Sequence, residues 1–293
     1  MQITKKLFIV LVFIFSSTAN LKAQCIFLES GDSITCQKAL AAMFDSVYSL
    51  KTSKFKMVSY ERIEDEMHQN NAVVYVNYEP KKIFLRGFKP DGELVNEVMY
   101  LEGKNDNKAL ISPNGFPYFN LNLEPEGGTM RHHRHLTILE AGGRYLVDML
   151  RIGIKNYMES GDSTNRFFIE REAKGFLKLT VFNPDYDFVD YTVLPNEQVR
   201  KLCFRLGIPE YKLIEINDEV DDYNDLSEGQ IIKIPNFYAK KLELIIRESD
   251  FMPLHVKIFD EKGLYSEYEY LYFDCNPYVD EQTFNSENPA YTF

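Results

Sequence analysis

The sequence predicts an α+β fold: a run of antiparallel strands carries packed helices, and a small second unit is set into that run. Three observations predict it. From about residue 54 apolar residues recur with a period of two in short segments, punctuated by Glu79-Pro80, Pro90-Asp91-Gly92, Gly103 and Pro113-Asn114-Gly115. Two longer stretches, near 35–50 and 136–157, repeat at helical spacing instead. Residues 191–235 then read as strand, helix, helix and strand, after which strands resume.

The elements follow in chain order. Lys5-Lys6 ahead of the apolar run Leu7 to Phe15 has the form of a signal peptide, because a membrane span takes about 20 residues and this run is shorter. Cleavage in Leu21-Lys22-Ala23, before Gln24, defines a leader over residues 1–23 and an exported mature chain. Cys25 invites lipidation, but Lys22-Ala23-Gln24 is a poor lipobox. A helix is expected from Thr35 to Leu50, with Leu40, Met43, Phe44 and Val47 on one stripe. Strands are expected at 54–63, 70–79, 81–88, 94–102, 107–112 and 116–123, then a helix from Leu136 to Tyr157 in which Gly142-Gly143 either bends the axis or allows close approach to a sheet. Further strands are expected at 166–173, 175–182, 239–248, 253–260 and 264–273, the last two joined by a hairpin at Lys262-Gly263. No later run is long and apolar enough to be a transmembrane helix.

Residues 191–235 carry the densest local signals. Tyr191-Thr192-Val193 is β-rich and stops at Pro195-Asn196. Val199, Leu202, Cys203 and Leu206 form one apolar helical stripe that ends at Gly207. Pro209 suits the first turn of a second helix, in which Leu213 and Ile216 face inward and Asn217 caps the end. Leu226 and Gly229-Gln230 lead into Ile231 to Ile234, halted by Pro235. This pattern resembles the LysM domain, a carbohydrate-binding module of cell-wall proteins. The resemblance rests on Tyr191-Thr192-Val193, Gly207-Ile208, Leu213, Ile216-Asn217, Leu226, Gly229-Gln230 and Ile232 to Pro235.

That resemblance implies a grip on N-acetylglucosamine-type glycan, such as peptidoglycan, in a groove between two loops. The residues it points to are Leu194, Pro195, Asn196, Glu197 and Gln198 in the first loop and Asn217, Asp218 and Val220 in the second. Two departures matter. Asn196-Glu197-Gln198 stands where the family usually has Gly, an acidic residue and Thr, although Asn tolerates the left-handed backbone that Gly would supply. The loop 218–228 is also unusually acidic.

The strands on either side resemble a family of bacterial exported domains similar in layout to periplasmic lipoprotein carriers, the Lol carriers. Lys54 to Tyr60, Lys81 to Arg86, Glu97 to Tyr100, Pro253 to Asp260 and Tyr268 to Tyr270 suggest it. The resemblance implies a curved antiparallel half-barrel closed on one side by helices, formed by residues 25–189 and 237–293 around an inserted module at 190–236. It also implies an alternative function, carriage of a lipid or lipoprotein acyl chain in an apolar cavity. Tyr268, Tyr270 and Tyr272, at alternate positions, are the candidate cavity lining, and the same pattern also suits an ordinary core.

Composition narrows the partners. The full chain carries 33 basic and 44 acidic residues, a net charge of −11, and loss of Lys5, Lys6 and Lys22 with the leader makes it more acidic still. Bulk electrostatics therefore oppose nucleic acid and anionic lipid. Four cysteines, Cys25, Cys36, Cys203 and Cys275, leave a disulfide open between Cys25 and Cys36, or between either and Cys275, whereas Cys203 occupies a core position. His132 and His135 lie three apart in Arg131-His132-His133-Arg134-His135, a metal-ligand spacing crowded by two arginines, and the bland reading is a polar lead-in to the helix. No nucleophile elbow, phosphate loop or His-Glu-x-x-His helix is present, so the expectation is a binding protein without cofactor or metal, not an enzyme.

Overall fold

The computed structural model of the chain describes residues 25–27, 35–160, 166–223 and 225–293. The leader expected over residues 1–23 lies outside the described residues. The first half contains β1 (Cys25–Phe27), α1 (Cys36–Tyr48), β2 (Thr52–Ile63), β3 (Glu66–Tyr78), β4 (Lys81–Phe88), β5 (Leu94–Leu101), β6 (Ala109–Pro113), β7 (Leu121–Leu123) and α2 (Arg144–Ser160). The second half contains β8 (Arg166–Ala173), β9 (Phe176–Phe182), β10 (Phe188–Thr192), α3 (Val199–Leu206), α4 (Glu210–Glu215), β11 (Ile231–Pro235), β12 (Lys241–Arg247), β13 (Met252–Asp260) and β14 (Gly263–Cys275).

Twelve strands make one unclosed, curved sheet in the order β1-β8-β9-β12-β13-β14-β2-β3-β4-β5-β6-β7. Every pair is antiparallel except β1 with β8 at one edge. The α+β class and the half-barrel layout expected from the sequence are therefore present.

Period-two alternation decides which side of the sheet each residue meets. Phe55, Val74, Val76, Ile83, Leu179 and Leu244 face the helices and are buried. Onto them α1 lays Cys36, Ala39, Met43 and Val47, a stripe at helical spacing, after Thr35 caps its start by accepting from Lys38 N at 3.2 Å. Val147 and Leu150 of α2 join the same core. Phe84, one residue after Ile83, faces the other side, where it packs with Met99 and Phe284 and stacks on Tyr291. The tail beyond β14 thus covers the outer face of β4 and β5. It is pinned there by Glu97, which accepts from Thr292 N at 2.6 Å and from Arg86 Nε at 2.7 Å.

Two expectations change. The helix expected over 136–157 is broken: only a 3-10 turn, Ile138–Glu140, precedes Gly142 and Gly143, whose φ of 97° and 85° turn the chain before α2. A Cβ on Gly142 would fall 2.2 Å from Tyr78 Oη, so only glycine fits there. The strand expected at 116–123 shrinks to β7, and residues 114–120 form a turn instead.

The second unit has its own two-stranded sheet, β10 with β11, and its own core of Val193, Val199, Leu202, Cys203, Leu213, Val220 and Ile232, among others. Gly207 ends α3 with a φ of 69°, and Ile208 N donates back to Cys203 O at 3.0 Å, a Schellman closure. β9 and β12 pair directly with each other on either side of this unit. Cys36 is disulfide-bonded. Cys203 and Cys275 are free thiols, which removes the pairings through Cys275.

Candidate functional site

Each of the two loops singled out in the sequence is fastened from beneath. In the first, Asn196 takes a φ of 59°, the left-handed conformation expected of it. Glu197 turns back under the loop and accepts from Leu194 N at 2.8 Å and from Tyr191 Oη at 3.0 Å. It also pairs with Arg205, which donates to Tyr191 Oη at 2.7 Å. Partial burial alone would raise the Glu197 carboxyl, but the Leu194 amide, Arg205 and Tyr191 outweigh it and hold the group below the usual glutamate range. In the second loop, the buried Asn217 amide donates to Leu213 O at 2.6 Å and Lys233 O at 2.8 Å, and accepts from Lys233 N at 2.7 Å. That uses its full donor set and ties the end of α4 to β11.

The eight predicted groove residues therefore divide by role. Glu197 and Asn217 are structural fasteners, and Val220 is buried in the small core. Leu194, Pro195, Asn196, Gln198 and Asp218 stand exposed, with Leu194 at 51%. The rim thus offers an apolar edge, Leu194-Pro195, beside amide and backbone groups, a surface suited to a ligand with one apolar face and many hydroxyl or amide groups.

The small unit is joined to the rest of the chain by buried charges. Arg131 pairs with Glu210 at 2.7 Å, both side chains nearly inaccessible, and its guanidinium lies 3.5 Å over the Tyr223 ring. Arg200 reaches Glu140 at 2.7 Å and Glu210 at 3.0 Å. Lys212, with its side chain 1% exposed, contacts Asp260 at 2.9 Å, Glu215 at 2.9 Å and Glu261 at 2.7 Å. Arg62 also pairs with Asp260. Burial opposes the charge on Asp260, but hydrogen bonds from Arg62 and Lys212 win and hold its carboxyl below the usual aspartate range. Lys212 is likewise raised despite burial, by its three carboxylate partners.

The His-rich stretch belongs partly to this joint. His135 is buried between the rings of Tyr265 and Tyr211, at 4.1 and 4.8 Å, and its Nε2–H donates to Arg62 O at 2.8 Å. Burial lowers its pKa. Arg131 and His135 are thus fasteners, where the sequence had suggested a polar lead-in to a helix. His132 stacks instead on His133 at 3.8 Å, and no cluster of three metal-ligating side chains exists among the described residues. Nothing in the local pattern marks Arg62, Glu210, Lys212 or Asp260 as joint residues, since the partners Arg131 of Glu210 and Asp260 of Arg62 and Lys212 lie far away in the chain.

The three tyrosines do not share a face. Tyr268 is buried and donates to Glu61 at 2.6 Å, and Tyr270 packs edge-on to Phe55 at 5.3 Å. A bulge between Tyr270 and Tyr272 inserts Leu271 and turns Tyr272 to the outer face. Between α2 and the sheet lies a crevice of about 50 Å³, lined by Leu146, Leu150, Phe167, Val181, Tyr238 and Leu242, and none of the three tyrosines borders it.

Two sequence families match the chain. Residues 51–186 match a family described as a protein of unknown function (DUF1571), and residues 191–235 match the LysM domain. No curated protein matches. Among solved structures, MucB is similar at 11% identity and a TM-score of 0.40, over 84% of this chain. The chain spans 61% of the length of that MucB. An uncharacterised conserved protein from Thermus thermophilus is similar at 12% identity and a TM-score of 0.39, covering 87% of this chain and 96% of its own. A LolA superfamily protein from Nitrosomonas europaea is similar at 7% identity and a TM-score of 0.33, covering 86% and 98%. The chain carries a LysM domain at residues 191–235, following a DUF1571 domain at residues 51–186.

Proposed function

We propose that this is an exported, non-enzymatic cell-envelope protein that binds peptidoglycan, or a related N-acetylglucosamine-type glycan, through the groove between residues 194–198 and 217–220. The observation that supports this reading is how the two loops are held. Glu197 and Asn217 hold the loops from beneath, and Leu194, Pro195, Asn196, Gln198 and Asp218 stay exposed although α3 and α4 carry the buried charges of the joint. The division that follows is a discontinuous domain of residues 25–189 and 237–293 that carries the module 190–236. The alternative, a carrier of lipid or lipoprotein acyl chains, needs a far larger space than the crevice beneath α2. Ligand pockets run to about 300 Å³ or more, against about 50 Å³ there.

The test is retention of the mature chain on purified peptidoglycan, compared with Leu194→Asp. Leu194 is exposed, so the substitution leaves the fold intact. Retention that falls with Leu194→Asp supports the groove, and a folded wild-type chain that stays in the supernatant refutes it.

A further inference from the structure

A second surface projects from the large sheet. The turn between β6 and β7 holds Phe116, Tyr118 and Phe119 in solvent, at 87%, 81% and 62% exposure. Single exposed apolar residues need no explanation, but three rings on one turn mark an interaction surface. The turn is constructed: Tyr118 N donates to Gly115 O at 2.8 Å, and Asn114 donates to Val95 O and Leu94 O, both at 2.8 Å. Tyr118 is held at a φ of 59°, a conformation a bulky residue adopts rarely.

Beside the rings opens a pocket of about 380 Å³, within the size range of small-ligand sites. Tyr118 and Phe119 line it together with Ser112, Asn114, Asn120 and Thr292, and no lining residue is charged. In a chain that is 26% charged this is a selective lining. An ionic ligand would meet no counter-charge there. An acyl chain would strand the amides and hydroxyls, and the acidic chain opposes an anionic bilayer. Ring faces beside amide and hydroxyl groups match a neutral saccharide, whose apolar ring face and hydroxyl edge need both kinds of partner.

The position matches as well. β2, β4 and β6 end where β3 and β5 begin, so the end of β6 lies at the same end of the strands as Arg62 in β2 and the joint. Four strand spacings separate β2 from β6, about 20 Å. We propose that residues 114–120 and their pocket form a second contact for neutral saccharide, so that turn and LysM groove grip one glycan at two points. The two-point grip rests on the glycan reading of the groove.

The test uses the full mature chain in three forms: wild type, Leu194→Asp, and the triple variant Phe116→Ser, Tyr118→Ser, Phe119→Ser. The probes are purified peptidoglycan, a soluble N-acetylglucosamine tetramer and zwitterionic phosphatidylcholine vesicles. The triple variant is expected to bind peptidoglycan about tenfold or more weakly, because one of two linked contacts is gone. Leu194→Asp should still show the tetramer on the Tyr118 ring by saturation-transfer NMR. A triple variant that binds like wild type, while Leu194→Asp does not, overturns the second contact and leaves the groove standing. Binding lost only in the triple variant supports the turn and sinks the groove. Failure of the wild type with both glycan probes overturns both. Vesicle binding, or a dimer, that the triple variant abolishes assigns the rings to a bilayer or a second copy and also overturns the proposal.

Discussion

Replacing Lys212 with methionine measures what the joint between module and sheet contributes. Lys212 sits among three carboxylates, Asp260, Glu215 and Glu261, with Arg62 and Lys262 as the other cations. Methionine keeps the apolar stem and removes the charge, which leaves three acids facing two bases. Removing one partner of a buried pair costs about 3–5 kcal/mol. Arg62 still serves Asp260 and the Glu261 side chain is one-third exposed, so the lower end, about 3 kcal/mol, applies here. In a chain of this size that lowers Tm by about 6–12 °C in a circular-dichroism melt at pH 7. Lys212→Met with Asp260→Asn should lose less than the sum of the single losses, by about 2 kcal/mol. The pH dependence follows from the shifts. The lowered Asp260 contributes above its unfolded value of about 3.9 and loses that contribution as pH falls through its folded value. The raised Lys212 contributes below about 10.4 and loses its share as pH climbs through its folded value. The wild-type advantage should therefore shrink at both extremes. A Lys212→Met melt within about 1 kcal/mol of wild type at pH 7, or an advantage flat from pH 3 to 11, would refute the reasoning.

Three further outcomes are expected. Gly142→Ala should destabilise by about 2–4 kcal/mol in chemical denaturation, since its Cβ meets Tyr78 Oη and its φ is positive; parity with wild type would contradict the close approach. Asn217→Ala should cost about 2–3 kcal/mol, because it removes three hydrogen bonds and leaves Lys233 N without its partner; amide exchange at Lys233 should speed up, and unchanged protection there would count against the lock. Native thiol labelling at pH 8 should be slow at both free cysteines. Burial holds Cys203 well above its usual range, and burial with Asp250 pushes Cys275 up to about 11, so rapid labelling of either would contradict this environment.

The module was legible because its constraints are local. Gly207 at a left-handed cap, Pro209 ahead of α4 and Asn217 closing it are residue types that each position requires, within a few residues of one another. The sheet was legible wherever alternation held. It failed at Leu271, where one extra residue inverts the faces of everything beyond it, and at residues 116–120, whose aromatic content mimics a strand. The two loops were legible, but not the roles of Glu197, Asn217 and Val220, which depend on which way each side chain turns. The joint was not legible at all. Arg131 meets Glu210 across 79 positions and Arg62 meets Asp260 across 198, and a charged residue in a sequence looks the same whether solvated or paired out of sight.

The direct pairing of β9 with β12 bears on how the chain folds. The amide of Asn183 donates to Lys240 O at 2.8 Å, and beyond that bond Asp187 and Asn236 exchange hydrogen bonds at 3.0 Å. These strands are two arms of a hairpin whose turn, residues 184–239, is itself a folded body. As an unstructured loop that segment would add about 2–3 kcal/mol of closure entropy over a tight turn, at about 0.6 kcal/mol per doubling of length. Once β10 has met β11 the two arms already lie side by side, and most of that entropy has been lost in a local event. The two arms are therefore expected to pair faster than an unstructured connection of that length would allow.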